Sequence, residues 1–344
     1  MSVSERRYKV GGLCFGVSLA EPFSFMDYVP AVRERIAAAA SGAAIEILPT
    51  RAGDDVPART YVRCREELPE GFNAHILDFS QYEPFFCDDG SEELFHLSVF
   101  SGEPAWIGSD RISHMLSVDE NLPAFYIYDL EGETVFAFDA EIGQANAYLK
   151  ISKDYRNGEF HASERLKSYS VVLHLATALM MMYTYNCAAS GALLMHASVV
   201  RHEGLANVFF GVSGTGKSTH SRLWLENIEG TDLLNDDNPV LRVEDGVVYV
   251  YGTPWSGKTP CYRNVKVQVG KIVKLHQAPE NSISRAQGLM AYVGIISSAS
   301  SIRWDHGIMD AINANASSIA MTVPCFELGC LPDADAARTC MNAR

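Results

Sequence analysis

The residues best suited to chemistry begin at Gly211-Val-Ser-Gly-Thr-Gly216-Lys217-Ser218-Thr219. The spacing is G-x-x-x-x-G-K-[ST], between an apolar run at 207–210 and a helix-like stretch at 219–226. Each position has a physical role. Glycines let the backbone curl until successive amide N–H groups point inward at anionic oxygens. A helix opening directly behind them adds the positive end of its dipole. Lys217 supplies a mobile cation for the outer phosphates of a nucleotide, and the Ser218 hydroxyl suits Mg²⁺. Ser213, Gly214, Thr215, Gly216, Lys217, Ser218 and Thr219 are therefore the expected nucleotide-binding residues.

The same spacing recurs at Gly252-Thr-Pro-Trp-Ser-Gly257-Lys258-Thr259. Here Pro254 lacks the N–H that a phosphate cradle uses, and Trp255 is bulky where the backbone must approach a ligand. A loop and then a strand follow, so no helix dipole is on offer. The expected role is different: Trp255, Lys258 and Arg263 close over a substrate, or the segment is a rigid loop around a packed Trp.

Two adjacent acids, Asp236-Asp237, end an apolar run beyond the first loop. One acid suffices to organise a metal; a second allows one to hold the ion while the other accepts a proton from an attacking hydroxyl. Neighbours on a regular strand face opposite ways, so both reach one site only if the strand ends there, as Asn238-Pro239 suggests. His196 lies in LLMHASVV, one strand earlier. It is either a core histidine or, if the two strands form a hairpin, a group at the loop mouth.

The elements that must position these groups are strands and helices in alternation. Apolar runs occupy 193–200 and 205–210, a hairpin is expected around 244–246, residues 265–269 alternate strictly, and helical stretches follow at 284–296 and 304–320. Before them, residues 163–185 suit one long helix capped by Ser163. Residues 155–158 (YRNG) read as a linker, giving an N-terminal domain at 1–160 and a C-terminal domain at 161–344. The first is expected to be a smaller α+β unit, with a strand at 8–18, a helix at 28–40, and a hairpin at Glu131-Gly132. No metal-ligand or nucleophile–base spacing stands out in it.

Composition bounds the rest. The chain has 344 residues, 47% hydrophobic and 20% charged, as a soluble globular protein does. A net charge of −14 repels phosphate backbones and anionic lipid, so neither nucleic acid nor a membrane is an expected partner. Eight scattered cysteines, without zinc spacing, suit reduced thiols and a cytoplasmic location.

His196-Ala-Ser-Val-Val, Gly-Val-Ser-Gly-Thr-Gly-Lys-Ser-Thr and Leu-Leu-Asn-Asp-Asp together resemble the catalytic core of HPr kinase/phosphorylase and its relatives of the phosphoenolpyruvate-carboxykinase-like P-loop fold, in a bacterial branch of that group. The likeness covers about residues 193–242. It implies an α/β C-terminal kinase core with a mixed sheet. It also implies an active-site role for His196, Asp236 as base toward a hydroxyl, and Asp237 with Ser218 around Mg²⁺. The N-terminal half does not resemble that family's, and its Arg-Gly-Leu-Gly segment is missing, so HPr itself is not implied as acceptor. The expectation is a Mg²⁺-dependent phosphotransferase using ATP or a related donor, with Asp236, His196 and Lys217 catalytic. Its acceptor is a hydroxyl on a protein, peptide or metabolite, and a homo-oligomer is left open. The alternatives are a nucleotide-binding regulator with little turnover and a carboxykinase-like enzyme.

Overall fold

The computed structural model describes residues 3–20, 45–49, 60–64, 80–117, 125–163, 168–257, 259, 261–301 and 305–343. The helix expected at 28–40, the first turn of the one expected from Ser163, and Lys258 lie outside them. The chain divides into two units, one holding most of the chain up to Asn186 and the other running from Cys187.

The first unit is built on an eight-stranded sheet. Its strands are β1 (Val3–Val10), β2 (Leu13–Ala20), β5 (Glu93–Ser101), β6 (Ile112–Ser117), β7 (Phe125–Leu130), β8 (Glu133–Phe138), β9 (Ala147–Ile151) and β10 (Asn157–Ala162). The order is β1-β2-β5-β10-β9-β8-β7-β6; β3 (Ile45–Pro49) and β4 (Thr60–Cys64) pair separately. The run at 8–18 is two strands rather than one, because Gly11 and Gly12 take positive φ (58° and 75°) and turn the chain back. The hairpin at Glu131-Gly132 forms, with both residues at positive φ. Residues 155–158 are no linker: β10 starts at Asn157 and pairs parallel with β5 and antiparallel with β9.

Helix α1 (Ser168–Cys187) belongs to this unit, so the boundary falls near 186 and not at 160. The reason is packing. A Cβ on Gly158 would come within 3.1 Å of Met182, His174 Nε2 sits 2.7 Å from Asp139 Oδ2, and Tyr185 stacks on Tyr155 at 4.7 Å. With the helix counted in, the N-terminal unit is not the smaller part.

The second unit is a mixed sheet covered on both faces. Its strands are β11 (Ala192–Leu194), β12 (Ala197–His202), β13 (Leu205–Phe210), β14 (Asp232–Asp237), β15 (Val240–Glu244), β16 (Val247–Tyr251), β17 (Lys266–Gln277), β18 (Ser282–Ala286) and β19 (Cys325–Cys330). They run β11-β15-β16-β17-β13-β12-β14, with β19 also on β17 and β18 on β19. The run at 193–200 is interrupted at Met195-His196, and the front of the stretch at 284–296 is strand β18.

Alternation along the central strands feeds two cores. Val208, Phe210 and Ile272 pack on one side with α3 (Leu289–Ser298) and α4 (His306–Thr322). Phe209, Val273 and Leu275 pack on the other with α2 (Lys217–Asn227) and α5 (Ala334–Asn342). Lys271 Nζ caps the end of α5 by donating to the carbonyls of Cys340, Met341 and Ala343 at 2.7–3.1 Å. No helix among the described residues is long and apolar enough to cross a membrane. Seven of the cysteines are free thiols, and burial pushes Cys187 and Cys261 up to about 12.

Candidate functional site

The site is assembled at one edge of the second sheet. Strand β12 lies between β13 and β14, and Ala197 at its start faces Phe210 on one side and Asp237 on the other. Adjacent strands are about 4.8 Å apart. The residue after Phe210, the residue before Ala197 and the end of β14 therefore gather at one level: Gly211, His196 and Asp237.

The glycine loop leaves β13 where only glycine fits. At Gly211 (φ 156°) a Cβ would sit 2.7 Å from the Leu275 carbonyl oxygen and 2.8 Å from Thr215 Oγ1. Thr215 closes the turn, its N–H and hydroxyl both donating to the Val212 carbonyl at 3.1 and 2.8 Å. Gly214 (φ 83°) has open space about its α-carbon, and Gly216 (φ 99°) leads into α2 with no capping side chain. Ser213 and Ser218 are exposed, while Thr219 is half-buried in the first helical turn.

Lys217 is largely buried, and its Nζ donates to the Gly211 carbonyl at 3.1 Å. Burial lowers its pKa, opposed by the carboxylates of Asp237 and Asp236, so both acids act on this ammonium. Behind it, α2 is anchored by Trp224, whose Nε1 donates to His220 Nε2 at 3.1 Å, and by Ser221, 2.6 Å from Ser198. Phe209 meets the His220 ring edge-on at 4.7 Å, and burial lowers that imidazole to about 4.

The two acids differ. Asp236 is 2% exposed, and its Oδ2 has no hydrogen-bond partner among the described residues. Asp237 is half-exposed, pairs through Oδ1 with His196 Nδ1 at 3.1 Å, and takes φ 140°. That backbone value breaks the strand pattern at the position where both neighbours need to serve one site, at a cost few non-glycine residues carry. His196 is fixed from behind by donating its N–H to the Ser298 carbonyl at 2.7 Å.

The second glycine–lysine loop supports this edge from within. Gly257 N–H and Ser256 Oγ both donate to the Asp236 carbonyl, and Ser256 bridges Asp237. Thr253 is a buried hub: its hydroxyl donates to the Asn238 carbonyl at 2.7 Å and receives Asn235 Nδ2 and the Trp255 N–H, each at 3.2 Å. Trp255 is 3% exposed and Arg263 5% exposed. Arg263 Nη1 donates to Asp232 Oδ2 (2.9 Å) and the Leu233 carbonyl (2.6 Å). Arg263 thus braces β14 from inside through Nη1, with Nε and Nη2 buried and unpartnered among the described residues, and Trp255 lies in the interior; neither stands ready over a substrate.

The structure brings Lys217, Asp236, Asp237 and His196 together around the glycine loop. It keeps Trp255 and Arg263 in the interior. Thr253, Ser256 and Gly257, which hold the end of β14, are not evident as functional in the sequence. Their only signal there is a spacing that advertises a different role.

No protein-family model matches this chain, and no curated protein matches it. Among solved structures, the chain is similar to the Hpr(Ser) kinase/phosphatase from Coxiella burnetii, at 13% identity over 40% of this chain and 85% of that one. The TM-score is 0.25, and a likeness of that size carries no argument about fold or activity.

Proposed function

We propose that this protein is a Mg²⁺-dependent phosphotransferase that moves the terminal phosphate of ATP, or of a related donor, to a hydroxyl acceptor. The observation that carries the reading is the buried Asp236 Oδ2, without a partner among the described residues, beside a cation and a loop opening onto a helix N-terminus. A buried carboxylate oxygen left unpaired is costly and calls for a proton or cation to meet it. Those donors fit the groups proposed. The loop amides at 213–219 and Lys217 would bind the donor's phosphates. Ser218 and Asp237 would hold Mg²⁺, which supplies charge neutralisation at the phosphates.

The chain's own residues then divide the proton work. As the acceptor oxygen bonds to phosphorus and the bond to the leaving diphosphate breaks, Asp236 takes the hydroxyl proton. His196 holds Asp237 in its strained backbone position and so orients the second carboxylate. The resemblance of the sequence motifs at 193–242 to the HPr-kinase-like core supports this reading. The acceptor would be a protein, a peptide or a hydroxylated metabolite.

Calorimetric titration with ATP and Mg²⁺, paired with an assay of ADP release, tests the reading. Wild type should bind and turn over slowly with water as the default acceptor. Lys217→Met should weaken binding about 100-fold, and Asp236→Asn should bind yet lose turnover. Failure of wild type to bind ATP, ADP or pyrophosphate would overturn the proposal, and binding with no turnover would replace it with a nucleotide sensor.

A further inference from the structure

A second group of ligating side chains lies in the first unit, independent of the glycine loop. Glu5, Glu93 and His96 each offer one ligand atom, and these atoms all lie within 4.8 Å of one another. They come from β1 and β5, which flank β2 in the sheet. Side chains from the two outer strands can converge over the middle one only if it contributes no bulk. The middle residue is Gly16, where a Cβ would fall 2.4 Å from His96 Nδ1 and 2.5 and 2.6 Å from the Glu93 carboxylate oxygens. Glu93 and His96 are three apart, a spacing that puts strand residues on opposite faces. A register shift against β2 between Cys14 and Gly16 supplies the extra residue that turns both to one face.

Hydrogen bonding around the cluster is asymmetric in a useful way. Arg7 Nε holds one oxygen of Glu93 at 2.9 Å, which leaves the other directed at His96 Nδ1, also at 2.9 Å. His96 Nε2 lies 2.6 Å from Ser18 Oγ. An imidazole nitrogen and a carboxylate oxygen at that separation must have a positive centre between them, either the Nδ1 proton or a metal ion. If Nε2 carries the proton and donates it to Ser18, Nδ1 is free to ligate, with Ser18 as the orienting partner that metal-bound histidines ordinarily have.

We infer that Glu5, Glu93 and His96, converging over Gly16, bind a first-row divalent transition ion of the Zn²⁺ type. One imidazole and two carboxylates suit such an ion better than the all-oxygen shells of Ca²⁺ and Mg²⁺ or the soft ligands of Cu(I). Ligand atoms on a tetrahedron of Zn–N and Zn–O bonds stand roughly 3.3 Å apart, so the exposed Glu5 has only to swing inward. Solvent completes the shell. The ion ties β1 to β5 across β2.

The test uses the full chain carrying His196→Ala and Asp237→Asn, so that the acid–histidine pair of the other unit cannot bind. Zn²⁺ alone is the probe, followed by calorimetry and by ¹⁵N NMR of the His96 ring. One ion per chain is expected, with Nδ1 shifted as a ligand and Nε2 protonated. His96→Ala should weaken binding about 100-fold. Glu5→Gln, at an exposed residue whose loss spares the fold, should weaken it about tenfold. Saturable binding that neither substitution changes, an Nδ1–H tautomer that persists with Zn²⁺, or no saturable binding at all would overturn the inference. A loss of ATP binding in the parent chain leaves this result unaffected, because the two sites share no residue.

Discussion

Residues 211–218 and 252–259 share one spacing of glycine, lysine and hydroxyl, yet their backbones are put to opposite uses. The first loop follows β13, takes positive φ at Gly211, Gly214 and Gly216, exposes Val212 and opens into α2. The second follows β16, buries Trp255, and turns its polar groups inward onto the end of β14. Its leading glycine is there for a different reason: a Cβ on Gly252 would lie 2.0 Å from the Arg263 carbonyl oxygen. One loop leaves its glycine backbone at the surface and the other spends its backbone on the fold. The lesson is that one residue spacing gives two backbone paths, set by the element that follows and by the bulk of the intervening positions.

If that contrast is sound, changes in the first loop and its acids should alter ligand chemistry, and changes in the second should alter stability. The largest effect is expected at Asp236→Asn, which should lower turnover about 1000-fold while leaving the urea midpoint near that of wild type. A matching loss of stability would move Asp236 to the supporting side of the comparison.

Gly252→Ala should destabilise the fold by about 3 kcal/mol, an overpacking cost against backbone, read as a shifted urea midpoint. An unchanged midpoint would show the second loop to be loosely held. His220 tests the support of the first loop through pH. Its folded pKa, about 4, lies below the ordinary 6.5, so the unfolded chain takes up the extra proton between these values. The stability it confers is complete above about pH 6.5 and is lost as pH falls toward 4, by roughly 3 kcal/mol over the whole window. His220→Gln should flatten that part of the stability–pH curve, measured by urea unfolding at several pH values. The smallest effect is expected at Gly214→Ala, which meets open space and pays only the left-handed backbone cost of about 1 kcal/mol. Equal losses at Gly214→Ala and Gly252→Ala would erase the distinction between the loops.

Much of the candidate site is legible along the chain because it is local. The loop, its lysine and its helix are contiguous, and the rejection of the second match needs only Pro254 and Trp255. The hairpin at Glu131-Gly132 is legible for the same reason. The placement of α1 is not: its apolar residues and His174 give no hint that Asp139 and Gly158 are its seat. Arg263 likewise reads as a free cation until Asp232, distant in sequence, is brought against it. The cluster over Gly16 is invisible for a further reason. Its three ligands are spread from Glu5 to His96, and two of them share a face only through a bulge.

By itself, the sequence determined which backbone segment curls through glycines into a helix, since glycine positions and a following helix are properties of neighbouring residues. Tertiary structure alone decided which distant side chains meet that segment. It left Asp236 Oδ2 buried without a partner among the described residues, drew Asp237 to His196 and set Arg263 against Asp232, because strand register and core packing set distances that no local pattern encodes.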